Sequence, residues 1–330
     1  MKTMKKYLCL LLILALLPCL FACKTENQPS ATEATQSAPQ TKESLAMNIM
    51  SFNLLYKDRT DVEVEETEEK ADMRISVRGP GLNRILTEKN IDICGVQEAS
   101  APWEAWFSEN LPAEYAFIGQ KTADTGEGGF ILYRADRFEQ VAWDWFELHD
   151  GDDPHEQYIA WDGDHDRLCT WGLFREKNSG LYFLFFDTHL DNGGKHARQN
   201  GAELILYKID ELRTKYEEEL GIDCPVFLVG DMNCETYDEV YETLASELQD
   251  IRHTSKGATV EDEVDSSPEL YWLEDLSQIR RTGHYIDHMF STDNVTVTDM
   301  YMIHTATNLC EFGPWLSDHN AVWAAVNFTN

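Results

Sequence analysis

Basic residues are scarce in this 330-residue chain, which holds 27 lysines and arginines against 59 aspartates and glutamates. The formal net charge is therefore −32 at pH 7 with histidine neutral. A protein that binds nucleic acid mainly by neutralising phosphates needs a basic surface, and none is available in bulk here. Attachment to an anionic membrane by charge alone is also disfavoured. Because 43% of the residues are hydrophobic and 11% aromatic, a large core can form, and disorder throughout is excluded.

Pairs of cysteines at the spacing typical of zinc sites are also absent. Five cysteines follow the N-terminal segment, namely Cys94, Cys169, Cys224, Cys234 and Cys310. The first three lie in or beside apolar runs, which predicts buried thiols. A disulfide would be compatible with a location outside the cytoplasm, but the spacing singles out no pair.

The N-terminal apolar run, residues 7–17, is too short to span a bilayer comfortably. It follows three lysines and leads to Leu20-Phe21-Ala22-Cys23, which resembles a bacterial lipobox. We therefore expect a lipoprotein signal peptide at 1–22 with Cys23 lipidated, the alternative being an ordinary signal peptide with a chance cysteine. Residues 23–46 are rich in Ser, Thr, Gln, Ala and Pro, which predicts a flexible tether before one domain at 47–330. The expected location is the bacterial cell envelope, lipid-anchored and extracytoplasmic.

Strand-like and helical segments are mixed along this domain. Several strands are almost continuously apolar, as expected when both faces of a sheet are covered. Residues 194–219 carry the clearest helical spacing of apolar residues, and 71–89 and 235–246 are weaker helices. The mixture predicts an α/β sandwich with a mixed sheet. The strand-like runs are 47–55, 91–97, 129–133, 138–146, 169–175, 181–188, 225–230, 285–291, 295–303 and 320–328.

Polar residues stand at the ends of these apolar strands. Loops converge at strand ends in α/β folds, so sites gather there. Each residue alone is as readily explained by a turn or a cap, but six such ends together are not. Carboxylates, amides and two histidines suit a hard cation and an anionic substrate. The residues are Asn53, Glu98, His189, Asp191, Asp231, Asn233, Asp287, Asp318 and His319.

Seven short motifs cover these positions, and their order carries more information than any one of them. They are Ser51-Phe52-Asn53, Gln97-Glu98, Gly126-Glu127, Thr188-His189-Leu190-Asp191, Gly230-Asp231-Met232-Asn233, Ile286-Asp287-His288 and Ser317-Asp318-His319. From about 47 to 328 the chain resembles the endonuclease/exonuclease/phosphatase superfamily of metal-dependent phosphodiesterases and phosphatases. The resemblance implies a four-layer α/β sandwich, in which two mixed β-sheets pack face to face and are flanked by helices.

The resemblance also implies a metal site and a base. Glu98 would be the principal ligand of a divalent ion, with Asn53 and Asp318 close to it. We expect Mg²⁺, with Mn²⁺ or Ca²⁺ as alternatives. Asp231 would orient or deprotonate the attacking water, and Asn233 would position that water or the phosphate.

Two histidines would act at the phosphate from opposite sides. The resemblance implies that Asp287 holds the imidazole of His319 and that Glu127 supports His189. A carboxylate beside an imidazole raises the imidazole's pKa, so the ring can donate a proton or a hydrogen bond near neutral pH.

Four further residues are candidates for substrate binding. Arg167 matches a family position that often carries arginine, although a structural salt bridge is an equal alternative. His288 stands where the family commonly has an aromatic residue, and it either reaches the site or packs. Tyr271 and Trp272 would form one wall of the cleft, or belong to an insertion loop docked on the core.

The leading hypothesis is a surface-anchored, metal-dependent phosphodiesterase or phosphatase, acting as a monomer. The acidity favours a phosphorylated small molecule, a nucleotide or a lipid headgroup over DNA, and limits membrane contact to the lipid anchor. The alternatives are a surface deoxyribonuclease and a catalytically inactive surface binding module.

Overall fold

The computed structural model describes residues 43–64, 67–255, 265–268, 270–279 and 285–329. The predicted signal peptide, Cys23 and most of the predicted tether lie outside these residues. The first strand begins at Leu45, slightly before residue 47, the predicted start of the domain. Among the described helices, none is both long and apolar enough to cross a membrane.

Strands and helices are mixed along the described residues, as the sequence predicts. The strands are β1 Leu45–Asn53, β2 Val62–Glu63, β3 Lys70–Ala71, β4 Ile93–Gln97, β5 Tyr115–Lys121, β6 Gly128–Arg134, β7 Phe138–Glu147, β8 Leu168–Glu176, β9 Tyr182–His189, β10 Val226–Asp231, β11 Gln249–Asp250, β12 Asp287–Ser291, β13 Val295–Ile303 and β14 Ala321–Phe328. The helices are α1 Ile75–Glu88, α2 Ala101–Asn110, α3 Lys195–Leu220, α4 Glu239–Glu247 and α5 Ile251–Thr254.

Two six-stranded sheets form the centre of the fold. The first has the order β13-β14-β1-β4-β6-β5, and the second has the order β11-β12-β10-β9-β8-β7. Strands β1 and β4 are parallel, as are β9 and β10, and the other pairs in both sheets are antiparallel. Both sheets are therefore mixed, as expected.

Both faces of the central strands are buried, which explains their almost continuous apolar sequence. In β9, Phe183 and Phe185 join the core between the two sheets. Their neighbours Leu184 and Phe186 point the other way, into a core shared with α3 and α4. Successive side chains of a strand alternate between its faces, so a strand covered on both sides needs apolar residues at every position.

The helices cover the outer faces of the sheets. Ile205 and Ile209 of α3 pack on the second sheet, and Leu82 and Ile85 of α1 pack on the first. The layers are thus helix, sheet, sheet and helix, and the predicted four-layer α/β sandwich is confirmed.

Helix α2 and strand β5 have no counterpart in the sequence prediction. Only Trp103 and Phe107 of α2 are buried, four residues apart, which is too little for a clear helical pattern. Strand β5 lies at the edge of its sheet and buries only Tyr115 and Ile118. Short or edge elements bury few residues and therefore leave weak periodicity.

Arg78 of α1 is fully buried and binds the loops near one edge of the first sheet. Its guanidinium donates to the carbonyls of Leu54 and Leu55, the latter at 3.0 Å, which follow β1. It also donates to the carbonyl of Leu316 at 2.8 Å, which lies ahead of β14. The carbonyls of Met73 and Lys57, at 2.7 and 2.5 Å, complete its partners.

Candidate active site

Three strands of the first sheet bring four predicted site residues to one edge. Parallel β1 and β4 end side by side at Asn53 and Gln97, so Glu98 follows at the same edge. Strand β14 runs antiparallel to β1, and the segment leading into it therefore places Asp318 and His319 there.

The second sheet contributes three more residues. Parallel β9 and β10 end at His189 and Asp231, which are register partners. Strand β12 is antiparallel to β10 and begins at Asp287, directly opposite Asp231. Contacts such as the hydrogen bond between Asn53 and Asp231 join residues of both sheets, so the site is formed by the two sheets together.

Asp231 lies at the centre of this cluster. Its Oδ2 accepts a hydrogen bond from Asn53 Nδ2 at 3.1 Å. The Nε2 atoms of His189 and His319 lie 3.5 and 3.8 Å from the same oxygen. Its Oδ1 accepts a hydrogen bond from the Asn233 backbone at 3.0 Å. Burial and the charge of Asp287 raise the pKa of Asp231 to about 7, which suits a general base.

Glu98 and Asn233 adopt left-handed backbone conformations, with φ of +56° and +45°. Such angles are uncommon outside glycine and mark positions that the surrounding structure holds in place. Glu98 accepts hydrogen bonds from Asn53 Nδ2 at 2.9 Å and from the Tyr56 backbone at 3.0 Å. Asn233 Nδ2 donates to the Leu190 carbonyl at 2.9 Å.

His319 and Asp287 form a buried pair, with Nδ1 and Oδ2 2.9 Å apart. Burial alone would lower the pKa of His319, but Asp287, followed by Asp231, raises it well above the usual value. The Ser317 hydroxyl accepts from the His319 backbone at 3.1 Å and donates to the Asn53 carbonyl at 2.6 Å. His319 is therefore held as a cation, its Nε2 directed towards Asp231.

His189 lies beside Arg167 and close to Glu127. Arg167 Nη1 lies 3.0 Å from His189 Nδ1 and, being a donor only, makes that nitrogen an acceptor. The ring proton therefore lies on Nε2, and burial together with the Arg167 charge lowers the pKa of His189 well below normal. Glu127 lies 3.9 Å from the same Arg167 nitrogen, and burial and Glu98 raise its pKa to about 7. Arg167 therefore contacts both His189 and Glu127, and the support that Glu127 is predicted to give His189 stays a prediction.

Residues 50–319 match the model of the Endonuclease/Exonuclease/phosphatase family, a span that includes every residue of this cluster. The chain belongs to that family. Its members are hydrolases that act on phosphate esters. A search of curated proteins gave no match.

Several solved structures share this fold. A Bacteroides thetaiotaomicron family protein is 25% identical, with a TM-score of 0.67 over 87% of this chain and 97% of that one. A mannosyl-6-phosphatase from the same species is 26% identical, with a TM-score of 0.67 over 85% and 99%. Zebrafish (D. rerio) TDP2, complexed with a single-strand DNA product, is 15% identical with a TM-score of 0.58 over 85% and 98%, and shares the fold alone.

Family enzymes generally depend on a divalent metal, and the site has the oxygen ligands for one. Burial raises the pKa of Asp318, and the negative charge of Glu98 adds to that rise. Among the described residues, no lysine, arginine or histidine forms an ion pair with either carboxylate. A hard cation would relieve the repulsion between Glu98 and Asp318, so these two carboxylates suit such an ion, and Asn53, whose Nδ2 donates to Glu98, orients one of them. Glu98, Glu127 and His189 also offer ligand atoms that lie within 4.8 Å of one another.

Two of the candidate substrate-binding residues do not reach the cluster. His288 is fully buried, its Nε2 2.9 Å from the Cys234 carbonyl, and it packs on the ring of Tyr241. It follows Asp287 in β12 and so points to the other face of the strand. Tyr271 is 4% exposed and forms a bridge with Thr307, so it packs as part of the core.

Trp272 and Arg167 are placed where contact with a substrate is feasible. Trp272 is 48% exposed and packs on Trp315, three residues before Asp318. Arg167 contacts His189 inside the cluster. Their predicted roles in binding therefore stay predictions.

Two serines near the cluster are not predicted by the sequence. The Ser267 hydroxyl lies 3.3 Å from His319 Nε2, and the Ser266 hydroxyl accepts from the Asp287 backbone at 3.0 Å. They precede β12 by about twenty residues, in a segment without periodicity. No sequence signal marks them, because only the folded chain brings this segment to the site.

Proposed function

We propose that this protein is a divalent-metal-dependent hydrolase of phosphate esters on small molecules. One observation carries the proposal. Two imidazole Nε2 atoms and one amide nitrogen converge on a single oxygen of Asp231, all within 3.8 Å. This places hydrogen-bond donors on two sides of a base, beside carboxylates that suit a metal.

Each residue then has a role set by its protonation. Asp231 accepts a proton from the attacking water, supported by its raised pKa. His319, held as a cation by Asp287, and His189, whose proton is on Nε2, donate to phosphate oxygens from opposite sides. A divalent ion held by Glu98 and Asp318, with Asn53 orienting the Glu98 carboxylate, is proposed to be Mg²⁺ and would neutralise developing charge on those oxygens.

The proposed substrate is a phosphorylated sugar or a similar small phosphate ester. The mannosyl-6-phosphatase, at 26% identity, supports this choice. The net charge of −32 supports it as well, since a long polyanion such as DNA would be repelled.

A turnover assay tests the proposal. Purified protein would be incubated with mannose 6-phosphate, bis(p-nitrophenyl) phosphate, sphingomyelin or plasmid DNA, with Mg²⁺ or with EDTA. We expect hydrolysis of a small ester with Mg²⁺ and none with EDTA. Equal turnover in EDTA would contradict the metal requirement, DNA cleavage alone would favour a deoxyribonuclease, and no turnover would favour a binding module.

We also propose that Cys23 carries a lipid and that residues 23–46 tether the domain at 47–330 to the cell envelope. The support is the lipobox-like Leu20-Phe21-Ala22-Cys23 and the composition that follows it. In a bacterial host fed an alkyne-labelled fatty acid, we expect label on the wild-type chain and none on Cys23→Ser. Label on both would contradict the proposal.

A further inference from the structure

A buried polar pair joins the two sheets beneath the site. Asp187 of β9 is fully buried, and its Oδ1 accepts a hydrogen bond of 2.6 Å from Gln97 Nε2 at the end of β4. Gln97 directly precedes Glu98, and Asp187 precedes His189 by two residues. The contact therefore links the strand that ends at Glu98 to the strand that ends at His189.

The first sheet is shaped to receive the Asp187 carboxyl. A Cβ at Gly95 of β4 would overlap Asp187 Oδ1, and a Cβ at Gly129 of β6 would lie 3.0 Å from Asp187 Oδ2. Two neighbouring strands thus carry glycine where the side chain of the facing sheet enters. A group enclosed in this way has little freedom to move, because protein interiors are close-packed.

The hydrogen-bond pattern indicates that this carboxyl is neutral. Asp187 Oδ2 and Gln97 Oε1 are both buried, and neither has a hydrogen-bond partner among the described residues. Buried polar atoms are rarely left unpaired. A proton on Asp187 would supply a donor, and a carboxylic acid facing a carboxamide can exchange two hydrogen bonds with it. Burial also raises the pKa of Asp187 well above its usual value.

We propose that Asp187 is a positioning residue, a neutral acid paired with Gln97 that fixes Glu98 and His189 relative to each other. Asn53, Glu98 and Asp318 lie at strand ends of one sheet, and His189 and Asp231 at strand ends of the other. The rest of the core between the two sheets is largely apolar, and apolar contacts do not depend on direction. A hydrogen bond does depend on direction, so this pair can fix how the two sheets are aligned. The catalytic consequence rests on the proposed function, because it requires both sheets to act on one phosphate.

Three variants separate positioning from direct chemistry. Asp187→Asn keeps a donor and an acceptor towards Gln97, so we expect kcat within about threefold of wild type. Asp187→Leu and Gln97→Met remove the pair, and we expect kcat to fall on the order of tenfold or more with KM nearly unchanged. Loss in Asp187→Asn equal to that in Asp187→Leu would overturn the neutral pair. Wild-type kcat in Gln97→Met would overturn the positioning role, even if Asp187→Leu fails to fold.

Infrared spectroscopy tests the pair without turnover. The spectrum of the full chain at pH 7 minus that of Asp187→Asn should contain a carboxylic-acid carbonyl band. The exposed Asp210→Asn is the control and should give no such band. A carboxylate band in place of the acid band would overturn the inference. The infrared measurement needs no hydrolysis of a phosphate ester. It therefore distinguishes an error in the proposed function from an error in the inference that Asp187 is a neutral acid paired with Gln97.

Discussion

At the scale of single residues, protonation differs between the two histidines although both point at one carboxylate oxygen. Asp287 faces Nδ1 of His319 and favours a cation, whereas Arg167 faces Nδ1 of His189 and favours a neutral ring. One imidazole therefore supplies charge and the other supplies a fixed hydrogen-bond donor. The neighbour of each Nδ1 atom decides this, while both Nε2 atoms face Asp231, and that of His319 also lies 3.3 Å from the Ser267 hydroxyl.

The first prediction concerns Asp231. Asp231→Asn keeps the shape and the Asn53 contact but cannot accept a proton, so we expect kcat to fall on the order of 10²- to 10⁴-fold with unchanged folding. Steady-state hydrolysis of a small phosphate ester and circular dichroism measure this. The exposed Asp210→Asn should behave as wild type. A loss of less than about threefold would argue against a base at this position.

At the scale of elements, buried charged groups join the loops to the helices and strands. Arg78 of α1 binds five backbone carbonyls in three separate loop segments. The guanidinium carbon of Arg78 lies 4.9 Å from the ring centroid of Trp103 in α2. These contacts fix the chain just after Asn53 and just before Asp318.

The second prediction follows from this geometry. Arg78→Lys replaces a five-donor fork by a single ammonium and leaves buried carbonyls without partners. We expect the free energy of unfolding to fall by about 3 kcal/mol or more. Urea unfolding measures it, and the partly exposed Arg84→Lys on the same helix is the control, with a change below about 0.5 kcal/mol. Equal effects of the two variants would contradict the role given to Arg78.

The third prediction concerns Glu147 at the end of β7, which is 2% exposed. Burial and the charge of Asp166 raise its pKa to about 8, from an ordinary 4.5. The folded protein therefore holds a proton that the unfolded chain releases, and wild type loses stability as pH rises from about 4.5 to about 8. Glu147→Gln cannot titrate, so its free energy of unfolding relative to wild type should rise over that range.

Urea unfolding of wild type and Glu147→Gln at pH 5 and pH 8.5 tests this sign. Glu139→Gln, on an exposed position of the same strand, should show no such difference. A relative stability of Glu147→Gln that falls with pH would contradict the raised pKa.

At the scale of the whole molecule, acidity is the dominant property. The net charge is −32, so the excess negative side chains repel one another in the compact state. Salt screens this repulsion, because the Debye length is about 30 Å at 0.01 M and about 8 Å at 0.15 M. The fourth prediction is that the melting temperature rises when NaCl is increased over this range. Differential scanning calorimetry measures it, with an equal osmolality of glycerol as the control. A falling melting temperature would show that attractive surface pairs outweigh the net repulsion.

The sequence by itself determined the mixed α/β class of the fold and most of the residues that meet in the cluster. Strands such as β9 are apolar at every position because both faces are buried, and α3 repeats its apolar residues with helical spacing. Asn53, Glu98, His189 and Asp231 could be named because strand ends are where loops converge. Short elements such as α2 escaped, since two buried residues make no period.

Only the tertiary structure decided which groups touch. Arg167 and His189 are 22 residues apart and Asp187 and Gln97 are 90 apart, yet both pairs are in hydrogen-bond contact. His288, next to Asp287 in sequence, is turned to the opposite face of β12. Periodicity predicts whether a side chain is buried. Which residue it contacts depends on how the two sheets are positioned on each other, and no local sequence pattern predicts that position.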